Sequence, residues 1–199
     1  MIGIIDYGMG NLRSVQKALE YIGEKAVISG ELSVLDECEK LILPGVGSFG
    51  EGMAQLKRTG LYDYVIKRSE NTPILGICLG MQFLLSKSYE DGENQGFGFC
   101  EGEVVRFTKG KIPQIGWNQV RNLKGELFKG IEEGSEFYFV HSYHAVTGEK
   151  YEIATTDYYE DYASAVQCGN VYGVQLHHEK SGGVGLKLLK NFCNIGREL

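Results

Sequence analysis

Cys78 stands between Gly76 and Gly80, and only four histidines, His141, His144, His177 and His178, could serve it as a base. The preceding run Thr72-Pro73-Ile74-Leu75-Gly76-Ile77 reads as an apolar strand opened by proline. After Cys78 the apolar spacing changes to one that suits a largely buried helix through Leu85. A Gly-x-Cys-x-Gly at such a junction has the form of a nucleophile elbow with sulfur in place of oxygen, because side chains at the flanking positions would collide. The turn exposes the nucleophile and sets it at the positive end of a helix, which favours the thiolate. The bland alternative is a buried cysteine acting as a small hydrophobe.

A cysteine nucleophile needs a base, and the base needs an orienting acceptor. In extended chain, residues two apart share a face, so His177 and Glu179 can project together while His178 points away with Leu176 and Val174. Spacing ranks His177 ahead of His178 and leaves the latter open. His141 and His144, three apart on an apparent strand, should face opposite ways, so no metal site is expected. Acyl transfer also needs donors for a developing oxyanion. The amide of Leu79 is one candidate by elbow geometry, and the loop Gly45-Val46-Gly47 is the natural source of another. Gly45 to Gly50 also spells G-x-G-x-x-G, but after a third strand, and the acid at the right distance, Asp63, lies in a helical pattern. A dinucleotide site is therefore not expected, and no cofactor is.

The elements that must position these groups alternate in the first half. Strands are expected over 2–6, 25–29 and 40–44, with helical patterns over 12–22, 53–57 and 61–68 leading into the strand of the elbow. This implies an α/β fold with a central, mostly parallel sheet and helices on both faces. From residue 97 onward, short β-patterned segments (97–107, 112–120, 136–141 and 151–156) should make an antiparallel or mixed extension of that sheet. Segments 162–168 and 171–177 read as a hairpin, followed by glycines 182, 183 and 185 and a closing helix. No linker or repeat interrupts the 199 residues, so a single domain over 1–199 is expected. The net charge of −6 argues against nucleic acid, no apolar run approaches the ~20 residues of a membrane span, and five cysteines without a C-x-x-C pair suit a reducing, cytoplasmic setting.

With these pieces together, the sequence resembles the class I (triad-type) glutamine amidotransferases. The resemblance spans essentially the whole chain. It is carried by Asp6-Tyr7-Gly8-Met9-Gly10-Asn11-Leu12, Leu43-Pro44-Gly45-Val46-Gly47-Ser48-Phe49-Gly50 and Gly76-Ile77-Cys78-Leu79-Gly80-Met81-Gln82. It continues in Gly116-Trp117-Asn118, Phe139-Val140-His141-Ser142-Tyr143 and Gly173-Val174-Gln175-Leu176-His177-His178-Glu179-Lys180-Ser181. Within the family the first, second and last stretches, with Gly116-Trp117-Asn118, are similar to the histidine-biosynthesis branch.

The resemblance implies that Cys78 attacks the carboxamide of glutamine, that His177 moves the proton, and that Glu179 orients His177. Gln82 would hold the amino-acid end of the substrate with backbone around Ser142 and Tyr143, and Gly47 and Leu79 would supply the oxyanion donors. Ammonia would pass to a (β/α)₈-barrel cyclase in a heterodimer, which adds it to an intermediate carrying two phosphates. The products would be imidazole glycerol phosphate and an aminoimidazole carboxamide ribotide. Asn11, Trp117, Tyr138 and Lys180 match positions expected near that partner, although core packing is the alternative for Trp117. Two positions depart from the pattern: His178 stands where the family usually has proline, and Pro113-Gln114-Ile115 stands where it has Pro-His-Met facing the barrel. A paralogous glutaminase feeding the amidation of a surface-polysaccharide amino sugar, a non-catalytic binding module, and a thiol hydrolase are the competing readings.

Overall fold

The computed structural model describes residues 1–197. Its first half alternates as expected: β1 (Ile2–Ile5), α1 (Leu12–Tyr21), β2 (Ala26–Ser29), α2 (Leu32–Asp36), β3 (Lys40–Gly45), α3 (Phe49–Arg58), α4 (Leu61–Ser69), β4 (Ile74–Cys78) and α5 (Leu79–Gln82). The second half is mostly strand: β5 (Leu85–Ser88), β6 (Asn94–Gln95), β7 (Cys100–Arg106), β8 (Gln114–Gln119), β9 (Glu136–His141), β10 (Tyr143–Thr147), β11 (Glu152–Asp157), β12 (Asp161–Cys168) and β13 (Val171–Val174). It closes with α6 (Gly182–Asn194).

The main sheet runs β2-β1-β3-β4-β13-β12-β10-β7-β5-β6, with β11 alongside β12. Strands β2, β1, β3, β4 and β13 are all parallel, and the sheet turns antiparallel at β12. Successive residues of the parallel strands feed different apolar layers. Ile4, Ile42 and Leu75 pack with Val15 and Leu19 of α1 and Leu188 and Phe192 of α6. Ile5, Leu41, Leu43 and Ile74 pack instead with Leu35 of α2, Met53 and Leu56 of α3, and Leu61 and Val65 of α4. Helices therefore cover both faces, and strands buried on both sides read as near-continuous apolar runs.

Several expectations change in detail. The helix after Cys78 is a single turn, and Leu85 already starts a strand. Segments 112–120 and 136–141 do not extend the main sheet; β8 and β9 pair only with each other. The hairpin of β12 and β13 forms, but its second strand stops at Val174 and leaves His177 beyond it. Glycines 182, 183 and 185 lie inside the closing helix, not ahead of it. His141 and His144 do not diverge: the chain breaks at Ser142 between β9 and β10, and both rings pack on Phe107, at 5.3 and 4.4 Å between centroids. Among the described residues no helix is long and apolar enough to cross a membrane.

Candidate active site

Three parallel strands end level with one another. Gly45 at the end of β3 is in register with Cys78 at the end of β4, and Val174 at the end of β13 is opposite Ile77. Carboxyl ends of parallel strands are where α/β folds place their ligands. Cys78 takes φ 56° and ψ −113°, a left-handed conformation that a side chain adopts only when its surroundings enforce it. Here the surroundings do so. A methyl group on Gly80 would overlap the Leu43 carbonyl, and one on Gly76 would sit 2.5 Å from the Gly80 oxygen.

Beside the sulfur lies a cavity of about 390 Å³ lined by Cys78, His177, Gln82, Glu90, Ser142 and Tyr143, among others. His177 follows β13 in extended backbone, and its amide donates to the Tyr138 carbonyl at 2.9 Å. The Ser181 hydroxyl donates to the His177 carbonyl at 2.6 Å, so the backbone of His177 is held on both sides. Its Nδ1 meets Glu179 Oε1 at 2.9 Å. The two side chains meet across a 3-10 turn at 178–180, not along a strand as the spacing suggested. The other nitrogen, Nε2, has no aligned partner within the described protein. Burial works against a charged ring at His177, but the neighbouring Cys78 sulfur and the Glu179 carboxylate outweigh it and raise the pKa to about 9. Burial likewise opposes ionisation of Glu179, and its bond with His177 overrides this and holds the carboxyl down at about 2. Both shifts favour an imidazolium–carboxylate pair.

Both oxyanion candidates, Gly47 and Leu79, line the cavity. Gln82, buried at 4 % exposure, donates its amide to the Tyr143 carbonyl at 3.1 Å and to Gln175 Oε1 at 2.9 Å, leaving its own oxygen uncommitted. Asn11 and Lys180 reach the rim of the same cavity. Trp117 and Tyr138 do not line it. They stack edge-to-face at 6.1 Å on the β8–β9 pair, Trp117 is 54 % exposed and so is not core, and the Lys180 ammonium sits 5.5 Å over the Tyr138 ring.

The departures resolve inward. Gln114 is 2 % exposed and accepts a hydrogen bond from the Tyr162 hydroxyl at 3.0 Å, so it points inward, while its neighbour Ile115 is 60 % exposed. His178 is fully buried with neither ring nitrogen hydrogen-bonded, and burial lowers its pKa to about 4, which keeps it neutral and removes it as the base.

Three groups at the site were given no role from the sequence. Glu90, in the turn after β5, lines the cavity and accepts the Phe49 amide at 2.7 Å; nothing in its polar surroundings marked it. His141 supports the wall by bonding the Tyr143 carbonyl through Nδ1 at 2.8 Å. Gln175 donates to the Cys78 sulfur at 3.6 Å. The two-residue rule that linked His177 to Glu179 also points back to Gln175, so this one was within reach.

The family model "Glutamine amidotransferase class-I" matches residues 4–195. The chain is 47 % identical over 98 % of its length to the whole of the imidazole glycerol phosphate synthase subunit HisH of Wolinella succinogenes. It is 48 % identical over 98 % of its length to 97 % of the HisH subunit of Aquifex aeolicus. Among solved structures, PurLQS of Thermotoga maritima superposes with a TM-score of 0.76 at 23 % identity, covering 98 % of this chain and 97 % of that one. A further crystal structure described as a glutamine amidotransferase gives 0.74 at 22 % identity, with the same coverage. The sheet order, the elbow and a family match over nearly the full length lead to one assignment: the chain belongs to the class I glutamine amidotransferases.

Proposed function

We propose that this chain hydrolyses glutamine to glutamate and ammonia through Cys78, His177 and Glu179, and delivers the ammonia to a (β/α)₈-barrel cyclase subunit for imidazole glycerol phosphate and aminoimidazole carboxamide ribotide in histidine biosynthesis. The observation that carries the reading is one cavity lined by Cys78, His177 and Gln82, with the Glu179 carboxylate behind the imidazole. The sulfur adds to the carboxamide carbon, and the amides of Gly47 and Leu79 take the charge that develops on its oxygen. His177 gives its proton to the departing nitrogen as the C–N bond breaks, leaving a glutamyl thioester and free ammonia. The neutral ring then takes a proton from water, which attacks the thioester and releases glutamate. The Glu90 carboxylate and the Gln82 oxygen hold the substrate ammonium, while backbone at Ser142 and Tyr143 holds its carboxylate.

Asn11, Lys180, Tyr138 and Trp117 form the side of the molecule on which the barrel docks and ammonia leaves, and the heterodimer works in the cytoplasm. The relatives named as HisH support this acceptor. The departures at Gln114 and His178 no longer argue for an amino sugar, since both side chains are buried. Reconstitution with a histidine-pathway barrel and its ribonucleotide substrate tests the proposal. Cys78→Ser should abolish glutamine-dependent product while leaving ammonia-dependent product intact, and glutamine should protect Cys78 from a glutamine-like chloroketone. Equal glutamine-dependent activity in Cys78→Ser removes the thiol from the mechanism. Glutamine turnover that the barrel does not stimulate removes the acceptor.

A further inference from the structure

Helix α5 spans four residues, too few peptide dipoles to offer Cys78 much stabilisation of a negative charge. The position opposite the sulfur offers it instead. The parallel register of β13 with β4 ends at Val174 against Ile77, so the next residue, Gln175, comes level with Cys78. Gln175 is wholly buried, and its backbone amide is tied to the Ser164 carbonyl at 2.9 Å. Its side chain has one possible orientation. Gln82 Nε2 donates to Gln175 Oε1 at 2.9 Å and spends its other hydrogen on the Tyr143 carbonyl at 3.1 Å. The oxygen of Gln175 is thereby assigned, and its NH₂ must face the sulfur, 3.6 Å away.

We propose that the Gln175 side-chain amide is a catalytic hydrogen-bond donor to the Cys78 sulfur, stabilising the negative charge that it carries during the reaction, aiming it, and locking it to the Gln82 clamp; the catalytic part of this role rests on the glutaminase reading above. No proton leaves Gln175. Its N–H bond strengthens toward sulfur whenever sulfur carries charge, before attack on the carboxamide and again when water expels the thiolate from the thioester. A donor to an ionised acceptor is worth more than one to a neutral group, so the effect falls on the charged states of the cycle. The chain Tyr143 carbonyl–Gln82–Gln175–Cys78 also makes the wall that holds substrate and the nucleophile one connected unit.

The experiment follows the rate of alkylation of Cys78 by iodoacetamide across pH, by peptide mass spectrometry, beside glutaminase kinetics of the reconstituted complex. Gln175→Met should move the alkylation midpoint upward by about one pH unit. It should lower kcat about tenfold, with KM changed less than about threefold. Gln175→Glu should move both readouts further the same way, because a carboxylate repels a thiolate. Alkylation needs no glutamine, so a failure of the glutaminase reading leaves this readout standing. An unmoved midpoint in a Gln175→Met protein with native circular dichroism overturns the proposal, even if kcat falls, because packing alone would then explain the loss. Should Gln175→Met not fold, Gln82→Met, which frees the Gln175 amide without touching sulfur, should show a smaller upward shift, and no shift there also overturns it.

Discussion

Glu179 decides how His177 is charged. Its carboxylate bonds the imidazole of His177, whose pKa of about 9 is held up against burial by Cys78 and Glu179. In the proposed reaction the ring has no proton for the departing nitrogen above that pH, so kcat/KM should fall on an alkaline limb near pH 9. Glu179→Gln removes the anion and loosens the ring, and should both lower kcat/KM by about a hundredfold and move the limb to lower pH. A pH–rate profile of the two proteins checks the direction. A limb that stays in place would mean that another group sets it. The neighbouring His178 cannot substitute, because burial keeps it neutral and out of the cavity.

The strand-to-helix turn tolerates almost no substitution. A methyl group at Gly80 meets the backbone carbonyl of Leu43 in the adjacent strand, and neither can move without shifting β3 against β4. Gly80→Ala should lower the unfolding free energy by at least about 2 kcal/mol, read from denaturant titration. The same turn shows what a single sequence can convey. Gly76, Cys78 and Gly80 announce the elbow because steric exclusion leaves glycine alone at both flanks. The length of α5 was not legible, because Phe83, Leu84 and Leu85 are apolar and buried whether they continue a helix or open a strand. The separate β8–β9 pair was hidden for a related reason: alternation marks a strand but does not name its neighbour. Glu90 depends on the fold bringing a turn from beyond β5 to the cavity, which no local pattern records.

Across the molecule, three of the four histidines are held neutral. Burial lowers His141 and His178 to about 4 and lowers His144 as well, while His177 is raised to about 9. A depressed histidine contributes stability above its unfolded pKa of about 6.5, and loses it as the unfolded chain takes up protons that the folded one refuses. His177 has the opposite sign, with its contribution complete below about 6.5 and lost as pH rises through about 9. The unfolding free energy should therefore drop between pH 6.5 and 4, by on the order of 1 kcal/mol per pH unit for each of His141 and His178. Thermal melts across this range should show the slope, and His178→Leu should flatten it; an unchanged slope would assign the acid sensitivity elsewhere. The level endings of β3, β4 and β13 carry a last consequence. One residue added inside any of the three would displace its catalytic contribution by about 3.3 Å along the strand and turn the following side chains to the opposite face. Insertions and deletions that preserve chemistry are thus confined to the far rim and the outlying turns, and the spacing within these strands acts as a ruler that descendants of this enzyme must keep.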